Sequence, residues 1–177
     1  LEDKNYWGLS SLLRTGDYFN VQMCYHDIPE HLNPFDYETF DKNPSKGYAV
    51  VTNIETGLAE YLPMKNMHRN IDAVRASASM PLVSRPVEVN GKLYLDGGLA
   101  DSIPLLHAVT DGCRKNVVVM TKETGYRRVQ PKHLELIKAR YAKYPKVYEL
   151  MANRAAAYNQ QLDYLEAEVK NGTAFLI

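Results

Sequence analysis

An α/β fold follows from three features of this sequence. Residues 86–89, then Asn90-Gly91, then residues 92–95 read as a tight β-hairpin, because Asn-Gly supplies the positive φ angles of a two-residue turn. Further on, the helix-like stretch 102–112 leads into the β-branched run 116–120, which has the character of a strand covered on both faces. Last, Val147, Met151, Ala155, Tyr158, Leu162, Leu165 and Val169 step by three or four, the spacing of an amphipathic helix, and Pro145 suits its first turn. Strand, helix and strand in that order predict a layered α/β core with a helical segment behind it.

The remaining elements are placed by local signals. Near the start, "YWGLSSLLRTGDYF" reads as a short helix ended by Gly16, a residue that tolerates the left-handed conformation of a helix exit. In "LNPFDYETF", Asn33 is placed to cap, Pro34 to take the first helical position and Asp36 to meet the positive helix end. Residues 48–53 and 58–62 read as two strands turning at Thr56 and Gly57. "RNIDAVRASASM" reads as a helix with Ile71, Val74 and Ala78 on one side, stopped soon after by Pro81. In 102–112, Ser102 is the expected cap, Pro104 lies in the first turn and Gly112 marks the exit. The closing "GTAFLI" is β-like. It lacks a polar tail, and the chain opens at Leu1 without methionine, so a fragment of a longer protein is expected.

Composition bounds the function. Apolar residues make up 45% of the 177 and charged residues 24%, a globular balance, and the 21 basic residues cancel the 21 acidic ones. Nucleic acid is therefore not an expected partner; Arg127 and Arg128 are too short a basic cluster. Cys24 and Cys113 show no zinc or disulfide spacing and are expected to be reduced, buried thiols. With no membrane-length apolar run and no secretion signal in the sequence, a location in the cytoplasm or peripherally on a membrane is expected; Tyr141, Tyr144, Tyr148, Tyr158 and Tyr164 could meet lipid or a partner, but ordinary packing with hydroxyls at the rim is the expected reading.

The chemistry centres on Asp96, which closes the second strand of the hairpin and is followed by Gly97 and Gly98. A carboxylate is a weak base toward a hydroxyl in water, but burial raises its pKa and a fixed hydrogen bond aligns the proton for transfer. The glycines let backbone pass close to a neighbouring element. A turn aspartate bonding its own backbone is the plain alternative.

The run "ASASMPLVSRPVEVNGKLYLDGGLADSIP", residues 76–104, closely resembles the downstream half of the patatin-like phospholipases. It has Ala76, Ala78 and Pro81 at a small-residue helix end, a Pro-Val strand, a glycine turn, Tyr94-x-Asp96-Gly97-Gly98, and Pro104 eight residues past the aspartate. The bacterial cytoplasmic members with a helical extension look most similar. This resemblance implies a three-layer α/β/α core, here partial, over 1–125 and an incomplete helical C-terminal extension over 126–177. It implies an acyl hydrolase acting on lipid or other carboxylic esters through a serine and aspartate dyad. The resemblance makes Asp96 the expected catalytic aspartate and Gly97 and Gly98 its supporting loop, with neither metal nor cofactor expected. The family's Gly-x-Ser-x-Gly elbow is missing: none of Ser10, Ser11, Ser45, Ser77, Ser79, Ser84 and Ser102 lies in that pattern. The nucleophile and oxyanion donors are expected on a missing N-terminal half of the same protein, and the chain alone is expected to be inactive. Ser102 stands where many relatives have Asn.

Other groups carry weaker readings. His26, His31, His68, His107 and His133 are dispersed without metal-site spacing, and His107 could complete a triad only against the family's pattern. Asp101 reads as a helix-entry residue, and Arg75, Arg85 and Lys92 as solvated charges that could also meet lipid head groups. The competing function is a noncatalytic lipid- or protein-binding module that keeps the Asp-Gly-Gly turn as scaffold. An aspartate-nucleophile phosphatase would need a second aspartate where Gly98 stands.

Overall fold

The computed structural model describes residues 6–132 and 134–177. The chain is mixed α/β, with an antiparallel sheet and a helical C-terminal region, as the sequence predicts. It divides into two compact units, Leu1–Gly97 and Gly98–Ile177.

The first unit is built on a four-stranded antiparallel sheet ordered β2-β1-β4-β3: β1 Tyr48–Asn53, β2 Ala59–Pro63, β3 Val87–Val89 and β4 Lys92–Asp96. The β3–β4 turn is the one the Asn-Gly pair dictates, with φ of 52° at Asn90 and 76° at Gly91. On β1, Asn53 shapes the other hairpin: its Oδ1 accepts from the Glu55 and Thr56 amides at 2.9 and 3.2 Å. Helix α1, Leu9–Thr15, ends at Gly16 with φ of 80°, as expected. A π-helical stretch, Met23–Leu32, follows, its last bond running from the Asn33 amide to the Ile28 carbonyl at 2.8 Å.

Two sequence expectations change here. Helix α2, Tyr37–Lys42, starts later than Asn33, and its cap is Asp36, whose carboxylate accepts from the Thr39 amide at 2.9 Å. Helix α3, Met67–Ser77, is capped by Asn66, and its buried residues are Ala73 and Ala76; Ile71 and Val74 are half-buried and Ala78 is exposed. Small residues let α3 lie close over β1, β3 and β4, where Ala76 joins Val51, Val87 and Tyr94 in one apolar cluster. Each large side chain buried this way stabilises the fold by about 1.5–3 kcal/mol.

The second unit carries α4 Leu105–Thr110, β5 Asn116–Val118, α5 Leu134–Arg140, α6 Pro145–Lys170 and β6 Ala174–Leu176. Strands β5 and β6 pair in parallel. Helix α6 buries Val147, Met151, Ala155, Tyr158, Leu162 and Leu165, the stripe its periodicity predicts, with Val169 half-buried. Tyr158, Leu162 and Leu165 meet Ile103, Leu105 and Ala174 in this unit's core. Ser102 does not cap α4: its hydroxyl donates to the Gly98 carbonyl at 2.7 Å, and Pro104 holds the cap position without a side-chain bond. The strand expected to be covered on both faces is short, and Val117 and Val119 are exposed. Neither thiol is fully buried: Cys24 is half-buried and Cys113 exposed.

Candidate active site

Asp96 ends β4 opposite Val51 of β1. Side chains alternate across a strand, so Asp96 shares a sheet face with Tyr94, and that is the face α3 covers. Its backbone is held from two sides. The Asp96 amide donates to the Ser79 carbonyl at 2.8 Å, and its carbonyl accepts from the buried Thr52 hydroxyl at 2.8 Å. Ser79 in turn donates from its own hydroxyl to the Arg75 carbonyl at 2.7 Å, which ties the strand end to the C-terminal turn of α3.

Gly97 is glycine for lack of space. A Cβ there would lie 2.2 Å from the Val50 carbonyl oxygen and 2.5 Å from its carbon, both backbone atoms that cannot swing away. The half-buried Asp96 is thus followed at once by a buried residue jammed against β1. Gly98 offers its carbonyl to Ser102, so the second glycine opens a loop closed by that hydroxyl.

Beyond Gly98 the loop is fixed by a residue the sequence did not single out. Gln161 of α6 accepts from the Ser102 and Ile103 amides at 3.1 and 3.0 Å, and its Nε2 donates to Asp101 at 2.8 Å. Asp101, read as a helix-entry residue, is therefore one end of this clamp. Thr52, Ser79 and Gln161 were missed because their roles depend on distant pairing: Thr52 and Asp96 are 44 residues apart.

A cavity of about 320 Å³ lies in the first unit, lined by Tyr6, Phe19, Cys24, Tyr25, Arg75 and Ser79 among others. Asp17 is buried at its edge, where Arg85 donates from its backbone at 2.8 Å and from Nε at 3.0 Å. Arg85, expected to be solvated, is thus fastened to the fold. Burial pushes the Cys24 thiol up, with a Tyr6 hydrogen bond partly offsetting it. Burial likewise raises the Tyr25 and Tyr6 phenols, and the Cys24 charge adds to both. All three stay neutral near pH 7.

The other sequence candidates find local partners. His107 lies 3.5 Å from Asp111 at the exit of its helix, His26 lies 3.5 Å from Glu30, and the His68 ring stacks on Tyr37 at 3.8 Å. His133 lies outside the described residues. Lys92 pairs with Glu60 at 3.1 Å. Of the tyrosines, Tyr141 and Tyr158 are buried, and Arg128 sits 4.2 Å over the Tyr158 ring. Among the described residues no three potential ligands gather to hold a metal ion, and no helix is long and apolar enough to cross a membrane.

A family model, the patatin-like phospholipase, matches residues 2–109. The chain belongs to the patatin-like phospholipase family. The match spans the residues of the four-stranded sheet and the Asp96-Gly97-Gly98 corner. Patatin-like phospholipases are lipid acyl hydrolases, which makes a lipid ester the substrate class of this family. No curated protein matches the chain.

Proposed function

We propose that this chain is the acid-bearing part of a serine and aspartate lipid acyl hydrolase, with Asp96 as the proton acceptor and Gly97 and Gly98 as its supporting corner. The observation that carries the reading is the fixed position of Asp96, pinned by Ser79 and Thr52 and followed by a glycine that backbone contact leaves no room to replace. A base must be held within hydrogen-bond reach of its proton, and a backbone fixed in this way supports such a role for Asp96.

Because no serine of the chain lies in a Gly-x-Ser-x-Gly pattern, the nucleophile is assigned to a further part of the same polypeptide. In the first half-reaction its hydroxyl oxygen bonds to the ester carbonyl carbon as the hydroxyl proton passes to Asp96. The tetrahedral intermediate then expels the alcohol, which leaves with that proton, and an acyl-serine remains. Water attacks it in the same manner, releasing the carboxylic acid and restoring the serine. The two free cysteines fit a reducing compartment, and we place the protein in the cytoplasm, touching lipid surfaces peripherally.

The test is hydrolysis of short-chain aryl esters by the elbow-bearing polypeptide. Asp96→Ala and Asp96→Asn are expected to cut the rate by about 10²–10⁴-fold. Unchanged turnover in both variants would remove Asp96 from the chemistry. The noncatalytic reading, a module that keeps the corner only as scaffold, predicts a native gene lacking the elbow and no ester hydrolysis at all.

A further inference from the structure

Of the two bonds that pin the Asp96 backbone, one is made by a side chain. The Ser79 partner is a backbone carbonyl, which any residue at that position would offer, whereas Thr52 acts through its hydroxyl. That hydroxyl is costly where it stands. Strand β1 reads Tyr-Ala-Val-Val-Thr-Asn and Thr52 is 0% exposed, so a valine would fill nearly the same space without burying a polar atom. A buried hydroxyl is kept for the bond it makes, and here that bond goes to Asp96.

Its place on the sheet decides what it can do there. Thr52 pairs with Leu95 across β1 and β4, so it stands on the sheet face opposite to that of Asp96. It reaches that residue from behind, through the backbone. In a regular antiparallel pair, the N–H and C=O of one residue serve the same neighbouring strand. At Asp96 they part: the amide donates to Ser79, just past the end of α3, and the carbonyl accepts from Thr52 of β1 at 2.8 Å. The Gly97 carbonyl lies 3.5 Å from the same hydroxyl, and Gly97 is itself pressed against Val50. The chain thus leaves the ladder at Asp96, where the turn Gly97–Leu99 begins, and Thr52 stands at the pivot.

We propose that Thr52 is a positioning residue for ester hydrolysis: its hydroxyl sets the plane of the Asp96–Gly97 peptide and, through it, the aim of the Asp96 carboxylate. The assignment rests on the hydrolase reading above. Peptide and side chain share the Asp96 Cα, so rotating the one swings the other. A reacting group misplaced by about 1 Å loses on the order of 10²-fold in rate. The loss belongs to turnover and not to substrate binding, because Thr52 lies on the far face of the sheet from the carboxylate.

The test is steady-state hydrolysis of a short-chain aryl ester by the elbow-bearing polypeptide. Thr52→Val removes the donor and should lower kcat by about 10²-fold while KM stays within about twofold. Thr52→Ser keeps the donor and should hold kcat within about threefold of the parent. Unchanged kcat in Thr52→Val would overturn the assignment. So would a Thr52→Ser variant as slow as Thr52→Val, since packing and not the hydroxyl would then be the cause, or a rise in KM with kcat kept. If Thr52→Val does not fold, Thr52→Cys takes its place: a thiol donates weakly, so its kcat should fall below that of Thr52→Ser, and equality would overturn the proposal. Asp96→Asn is measured alongside. A normal rate in Asp96→Asn removes the hydrolase reading and this assignment with it, whereas a slow Asp96→Asn beside a normal Thr52→Val removes Thr52 alone.

Discussion

Gly97 and Gly91 are both glycines in the Asp96 hairpin, yet for different reasons. At Gly91 the backbone has φ of 76° and a Cβ would meet nothing within 4 Å, so the demand is conformational alone. Gly91→Ala should cost about 1–2 kcal/mol, the left-handed penalty for an L-residue. At Gly97 the demand is spatial, and Gly97→Ala forces β1 and β4 apart at the site itself. Overpacking of this kind costs about 1–3 kcal/mol or more, because backbone atoms must move. Urea unfolding should rank Gly97→Ala as the worse variant, and equal losses would show that the corner relaxes. The spatial demand could not be read from sequence, since Val50 lies 47 positions upstream of the residue it crowds.

At the scale of elements, β2, β1 and β4 are tied by one carboxylate. Glu60 accepts from Asn53 at 2.8 Å, Lys92 at 3.1 Å and Tyr94 at 2.7 Å. Burial works to raise its pKa, but the three donors outweigh it, and the carboxyl is held below its ordinary value of 4.5. The same contact, with burial as the larger cause, raises the Tyr94 phenol. A carboxyl depressed in the folded state contributes stability that is present above its unfolded pKa and lost as pH falls through the folded one. Stability of the protein should thus fall below about pH 4.5, and Glu60→Gln should flatten that part of the curve in denaturant titrations. Unaltered pH dependence in the variant would deny Glu60 this role.

The elements themselves were legible wherever a local residue forces the backbone. Asn90-Gly91 gave the hairpin and Gly16 the exit of α1, because each acts through its own φ. Caps were less legible. Asn33 and Ser102 have the right chemistry, but Asp36 and the Gly98 carbonyl compete for the same roles, and only the folded chain shows which bond forms. The π-helical stretch has Pro29 inside it and no buried residue, so neither periodicity nor propensity announces it.

At the scale of the whole molecule, one core of the described residues gathers around Val51 and Tyr94 and another around Leu165 and Tyr158. In the second, Leu165 is 1% exposed and belongs to a stripe the sequence displays openly. Leu165→Ala should cost about 2–5 kcal/mol, since the void it leaves adds to the lost burial. Amide exchange should show the loss in α6 and β6, and full protection there would mean the core had closed over the gap. Family membership and the position of Asp96 could be read along the chain because they lie in one run of some thirty residues. The mount of Asp96 could not, because Thr52 and Ser79 come to it from other elements.

The amide of Gln161 reads three successive residues of the loop that follows the double glycine. That single side chain makes the long C-terminal helix a template for the loop. Exchanging the helix between relatives would therefore transplant the loop's shape along with it, and a chimera that swaps only the loop would find its new sequence pressed into the old mould.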